Sequence, residues 1–174
     1  MGQLNGKELI KKAYEAILNH DFELAMEWFD QAIALEPDNA SYHYRLSITY
    51  ARSNKLSKAI EHAEQAIRLD PEEEHYHYHL QHLKAKEIVQ KAELYIDDSE
   101  DKAWIAIALL KQAVALDSLS SEAYLMLGIA YSHVKEYSLA IQAIRELLKL
   151  DPQHEMGIEL LEQYRQQLKQ YMKS

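Results

Sequence analysis

The chain has 174 residues, 48% hydrophobic and 27% charged, with 28 acidic against 19 basic side chains and a net charge of −9. This composition excludes disorder and low complexity, and the negative charge argues against nucleic acid, whose phosphates need a cationic surface. Four glycines, three prolines, three valines and one threonine stand against 21 alanines and 24 leucines, so a sheet lacks both its β-branched residues and its turn formers. The class is all-α.

The absence of cysteine removes disulfides, thiolate metal sites and a cysteine nucleophile from consideration. Met1 to His20 alternates polar and apolar groups and offers no apolar core for a signal peptide. No stretch approaches the roughly 18 uninterrupted apolar residues that a membrane span needs. The expected compartment is the cytoplasm.

Helix punctuation recurs along the chain. Leu35-Glu36-Pro37 and Leu69-Asp70-Pro71 end two apolar stretches 34 residues apart, and Leu116-Asp117-Ser118 and Leu150-Asp151-Pro152 repeat that offset. Ala25 and Ala32 keep step with Ala59 and Ala66. The last unit reads Tyr124-x-x-Leu127-Gly128-x-x-Tyr131, then Ala140, Ile144 and Pro152. This resembles the tetratricopeptide repeat, whose 34-residue pattern is W-x2-L-G-x2-Y, then A-x3-F, then P. Two positions depart from it, Trp→Tyr and Phe→Ile, and both stay large and apolar.

Taken in order, the first unit covers about 6–39, with Leu9, Ala13, Ala16, Ala25, Phe29 and Pro37 at pattern positions. Asn5-x-x-Glu8 opens its first helix as a capping box. The second unit, 40–73, carries His43, Leu46, Ser47, Tyr50, Ala59, Ala63 and Pro71. Each unit is a helical hairpin with small residues (Ala25, Ala59, Ala140) where two helices approach, and large ones (Phe29, Tyr50, Tyr131) toward the next hairpin. Such hairpins bury their apolar faces only by stacking, and the prolines sit just past helix ends, where they block continuation.

The third unit, 74–120, is longer: Pro71 to Ser118 is 47 residues. One long helix from about 72 to 96, a polar turn at Asp97-Asp98-Ser99-Glu100 and a partner over 101–116 account for it, overshooting neighbouring helices by roughly 15 Å. Ile88, Val89, Ala92, Tyr95 and Ile96 face Trp104, Ile105 and Ile107 in the added part. Mutual packing of the two long helices is the first reading of these residues, and a surplus patch for a partner or second copy the alternative. The fourth unit is 121–154, and 155–173 reads as an end helix that solvates the last core face. The fold class is thus an all-α, right-handed solenoid of four hairpins in one domain over 1–174, the third hairpin elongated, closed by a C-terminal capping helix.

Catalytic patterns are missing: there is no glycine-rich phosphate loop, no H-E-x-x-H and no G-x-S-x-G. The cluster Asp97, Asp98, Glu100 and Asp101 reads as a solvated helix start rather than a calcium loop. No enzymatic activity and no cofactor are expected. His75, His79 and His82 share one helical stripe, where three imidazoles could ligate Zn²⁺ or Ni²⁺ or gain charge together near pH 6. No carboxylate or cysteine completes that stripe, so no metal is assigned and groove lining is preferred. His43 and His77 read as packing residues beside the core.

The resemblance implies that the first helix of each hairpin lines a concave, ligand-holding surface. By register those faces show Lys7, Ile10, Lys11 and Tyr14, then Tyr44, Arg45, Ile48 and Arg52. His75, Tyr78, His79, His82 and Lys86 follow, and Leu125, Met126, Ile129 and His133 come last. None is acidic in a chain with 28 acids, although Glu122 lies at a neighbouring position. Rings beside cations suit an apolar peptide carrying acidic groups. The expected peptide-binding set is Lys11, Tyr14, Tyr44, Arg45, Ile48, Arg52, Tyr78, His79, His82, Lys86, Leu125 and Ile129. The carboxylate-clamping asparagines of some family members are replaced here by Tyr14 and Arg45.

The function expected is a non-enzymatic interaction module for a segment of another protein. Alternatives are a cytosolic chaperone for a secreted or assembling client, a metal- or pH-responsive sensor using the histidine stripe, and a homodimer through the long third hairpin.

Overall fold

The computed structural model describes residues 4–96 and 99–173 of the chain. Among these residues all regular structure is helical. The helices are α1 (Gly6–Leu18), α2 (Phe22–Leu35), α3 (Ala40–Arg52), α4 (Leu56–Leu69), α5 (Glu74–Ile96), α6 (Glu100–Leu116), α7 (Ser121–His133), α8 (Tyr137–Leu150) and α9 (Glu155–Tyr171). The extra residues of the third hairpin lengthen α5 to 23 residues, against 13 in α1, α3 and α7. Asp97 and Asp98 lie outside the described residues. Ser99 beside them caps α6 by accepting the Lys102 N–H.

Local chemistry explains the helix ends. At α1 the capping box is complete: Asn5 Oδ1 accepts the Glu8 N–H at 3.0 Å, and Glu8 Oε2 accepts the Asn5 N–H at 2.9 Å. Asp21, Ser120 and His154 cap α2, α7 and α9 in the same one-sided way. Within three hairpins the turn needs a left-handed residue, and His20 (φ 59°), Asn54 (φ 54°) and Lys135 (φ 61°) supply it. None is glycine, so each carries the Cβ strain of that region, least for Asn54. Ile88 stands 34 residues after Asn54, and there α5 runs on without turning.

The chain divides into two compact units, 1–83 and 84–174. In the first, Ala13, Met26, Phe29, Leu46, Tyr50, Leu56, Ala59, Ala63 and Leu83 form the core, flanked by a smaller cluster of Leu9, Ala32 and Tyr42. Ala25, Ala59 and the second unit's Ala140 are fully buried, as expected of residues at the closest helix approach. Trp28 lies half-buried with the Lys12 ammonium 4.5 Å from its ring centre, a cation–π contact.

In the second unit Val89, Ala92 and Ile96 of α5 meet Ala103, Ala106, Ile107 and Leu110 of α6 in one core with α7 and α8. Trp104 and Ile105 do not join it and are 46% and 49% exposed. Gly128 of α7 sits where a Cβ would lie 2.6 Å from Ile144 Cδ1, so glycine leaves the space that the Ile144 side chain fills. Helix α9 closes this core with Tyr164, 2% exposed, and with half-buried Leu160, Leu161 and Leu168.

Candidate functional site

The α1 and α3 helices of the first unit present successive turns of one face. Tyr14 and Ile17 from α1, Arg45, Ile48, Thr49 and Arg52 from α3, and Phe29 from α2 enclose a pocket of about 250 Å³. The i, i+3, i+4 and i+7 spacing of Arg45, Ile48, Thr49 and Arg52 aligns them along one side of α3. Phe29 is fully buried and supports Tyr14 edge to face, with ring centres 6.1 Å apart. The Arg45 guanidinium lies 5.3 Å above the Tyr14 ring, and its Nε donates to Ser41 Oγ at 3.1 Å. Ring and hydroxyl hold the guanidinium in place, while its terminal N–H groups remain as donors of fixed geometry. Thr49 Oγ1 donates to the Arg45 carbonyl at 3.0 Å, which points its methyl group rather than its hydroxyl toward other neighbours. The pocket therefore offers the Tyr14 ring, aliphatic surface and two permanent cations.

A second cluster lies beside it in the same unit. Tyr44 packs against Tyr76 at 4.9 Å between centres and edge-on against His79 at 5.2 Å. Ser47 Oγ donates to the Ala59 carbonyl at 2.6 Å, so its lone pair must accept from His79 Nε2–H at 2.8 Å. Burial, with the nearby His82 charge second, pushes the His79 pKa down to about 4. His79 is thus a neutral structural donor at neutral pH. A pH response near 6 from the whole stripe is not what this geometry provides, since its central imidazole titrates well below that. His75 and His82 are exposed on either side. Among the described residues no three His, Asp or Glu side chains gather as a metal-ion cage.

His43 and His77 prove to be one repeated device with two surroundings. Each ring Nε2 donates to the carbonyl of the proline six residues earlier, Pro37 at 3.1 Å and Pro71 at 2.8 Å. His43 is buried, as a packing residue should be, but His77 is exposed, so its role is the hydrogen bond rather than the core. With His43 Nε2 protonated, its Nδ1 accepts from His62 Nδ1–H at 3.1 Å, and the two rings stack at 5.4 Å. Tyr50 also stacks on His62, with ring centres 5.5 Å apart. Burial first, then the His43 charge, lowers the His62 pKa below its ordinary value.

Of the expected binding residues, Tyr14, Arg45, Ile48 and Arg52 come together in the pocket. Tyr44 and His79 are half-buried in the neighbouring cluster, and Lys11, Tyr78 and His82 are exposed without lining either. Lys86, Leu125 and Ile129 belong to the second unit, where the latter two pack partly buried against its core. Sequence reasoning misses Ile17, Thr49, Tyr76 and His62, and takes Phe29 only as a spacer between hairpins. A larger hollow of about 630 Å³ lies at the hairpin turns, between Glu36–Ser41 and Leu69, Asp70 and Tyr76. Its charged lining, Glu36, Asp38 and Asp70, is entirely acidic, and it gathers no fixed donors comparable to Arg45.

Three hairpins pair helices of 13 and 14 residues and place a proline after the second helix, and with small residues at the helix contacts they define a helical-hairpin repeat protein. Profiles described as tetratricopeptide repeat match residues 9–39, 40–73 and 105–155. The chain belongs to the tetratricopeptide repeat family. No curated protein matches it in sequence. Among solved structures it resembles MamA protein (21% identity, TM-score 0.50, covering 94% of this chain and 88% of that one). It also resembles residues 41 to the end of MamA from Desulfovibrio magneticus RS-1 (16% identity, TM-score 0.54, 97% and 93%). A third likeness is to a chain of the APC/C hetero-tetramer Cut9–Hcn1 (20% identity, TM-score 0.53, 92% and 30%). At these identities the likeness concerns the fold alone.

Proposed function

We propose that this protein is a non-enzymatic interaction module whose first unit holds a peptide segment of another protein in the α1/α3 pocket. The observation that carries this reading is the Arg45 guanidinium, fixed over the Tyr14 ring and beside Ser41 in a hollow that it shares with Ile17, Ile48 and a second cation, Arg52. The pocket's groups grip rather than react. A side chain of Leu or Phe size fits a space of about 250 Å³, and a carboxylate one or two residues away reaches Arg45 or Arg52. Charge-assisted bonds to arginine and burial against Tyr14 and Ile48 each suit a binding hot spot. In the described residues no helix is long and apolar enough to cross a membrane.

Selection from a displayed random peptide library tests the proposal. Enriched peptides should pair a large apolar residue with a nearby Asp or Glu, and Arg45→Glu/Arg52→Glu should lose them by at least about tenfold in affinity. Enrichment of basic peptides, or binding indifferent to the double replacement with helicity intact, would remove the pocket from the account. A second reading, self-association through the long third hairpin, is favoured by one observation: Trp104 and Ile105 stand about half exposed on α6.

A further inference from the structure

The solvent side of α6 is self-complementary. Asp101, Trp104, Ala108, Lys111 and Ala115 follow one another at alternating spacings of three and four, with Ile105 alongside, and every one of them is exposed. That spacing places them on one stripe of the helix, where a second helix could lie along them. Reversed and laid on a copy of itself about a two-fold axis at the level of residue 106, the stripe pairs Asp101 with Lys111 of the copy. It also sets Trp104 on Ala108 of the copy, and each pairing occurs twice. Acid meets base on either side of the axis, the Trp104 ring meets the small Ala108 side chain nearer to it, and Ile105 lies beside the axis next to its own counterpart. Antiparallel helices also set their dipoles in the favourable sense. Glu146, which borders the same hollow as Lys111, is already bonded to Lys149 at 2.6 Å.

We infer that the protein forms a two-fold homodimer through antiparallel pairing of α6, with Trp104 seated on Ala108 and Asp101 on Lys111 of the other copy. The inference rests on the self-association reading and adds its register. A seam of one helix a side is smaller than the roughly 800 Å² per partner of stable interfaces, so the dimer is weak and concentration-dependent.

Sedimentation equilibrium of the full chain from low micromolar to millimolar concentration tests it. The expected result is a monomer–dimer equilibrium that Trp104→Ala weakens by at least about thirtyfold, the effect of losing an interface anchor. Asp101→Lys and Lys111→Asp should each weaken it about tenfold or more by placing like charges opposite each other twice, and the double replacement should restore it. A strict monomer overturns self-association altogether. A dimer that ignores the charge reversals, or is not restored by the double replacement, overturns this register while leaving self-association standing. Should a reversal disturb helicity, Ile105→Cys supplies an independent readout in a chain with no native cysteine. It should oxidise to a linked dimer faster than Ala115→Cys, and equal rates would overturn the two-fold placement.

Discussion

The second and fourth hairpins fill the same two positions in opposite ways. In the fourth, Gly128 of α7 faces Ile144 of α8, and the isoleucine takes up the space a side chain on α7 would need. In the second, the matching residues are Ser47 on α3 and Ala63 on α4, both fully buried. The small Ala63 leaves room, and the Ser47 hydroxyl, bonded to the Ala59 carbonyl and to His79, occupies it. One solution is wholly apolar; the other is a hydrogen-bonded insert. The insert brings His79 against Tyr44 and so shapes the surface beside the α1/α3 pocket, whereas the apolar version has no polar consequence. In these two hairpins the helix contact therefore constrains total volume more tightly than residue type.

Truncating the isoleucine of the fourth hairpin disturbs this contrast most. Ile144→Ala should cost about 2–5 kcal/mol by opening a cavity beside Gly128. Gly128→Ser alone should cost about 1–3 kcal/mol through its clash with Ile144. Together they reproduce the arrangement of the second hairpin, so urea unfolding should find the double replacement about 1 kcal/mol or more better than the sum. Strict additivity would show that the two positions do not share one space.

Ser47→Ala should cost about 1–3 kcal/mol, because the Ala59 carbonyl and the His79 N–H both lose a buried partner. Chemical denaturation reads this directly, and a change within error would mean that the insert only fills volume.

Acid separates the two hairpins further. The folded pKa of His79 is near 4, below its ordinary value of 6.5, and that of His62 is also lowered. The unfolded chain binds these protons first, so their contribution is complete above about pH 6.5 and is lost as pH falls toward 4. Melting temperature should fall over that window by an amount equivalent to about 1–2 kcal/mol, because solvent screens these half-buried rings and reduces the full linkage. His79→Gln keeps a donor for Ser47 but cannot titrate, and should flatten part of the slope. An unchanged slope would place the acid sensitivity elsewhere.

The turns should respond least. Lys135→Gly removes the left-handed strain between α7 and α8 and should stabilise by about 0.5–1 kcal/mol, while Asn54→Gly should gain less. Thermal melts of the pair check the ranking.

The helix pairs are legible in the sequence because Pro37, Pro71 and Pro152 and the alanines before them mark helix ends and contacts by local chemistry alone. The Asn5–Glu8 capping box is legible for the same reason. Tyr14, Arg45, Ile48 and Arg52 can be placed on one side of the chain by register, since neighbouring hairpins repeat the same rotation. The histidine pair cannot. His62 lies 19 residues from His43, and its position carries Trp28 in the first hairpin and Ala143 in the fourth, so no repeating signal points to it. Nor can the left-handed turns, because His20 and Lys135 lack the glycine that would announce them. Trp104 and Ile105 read from sequence as packing between the long helices, and the structure corrects this. Periodicity shows that a residue lies on an apolar side, but here Ile107 alone of the three turns inward.

The chain's two tryptophans fall one to each compact unit, Trp28 under the Lys12 ammonium and Trp104 about half exposed. Each half consequently carries its own optical reporter, with emission from Trp104 displaced to longer wavelength. Single Trp→Phe replacements would let a fluorescence titration record whether the halves melt in one step or in sequence.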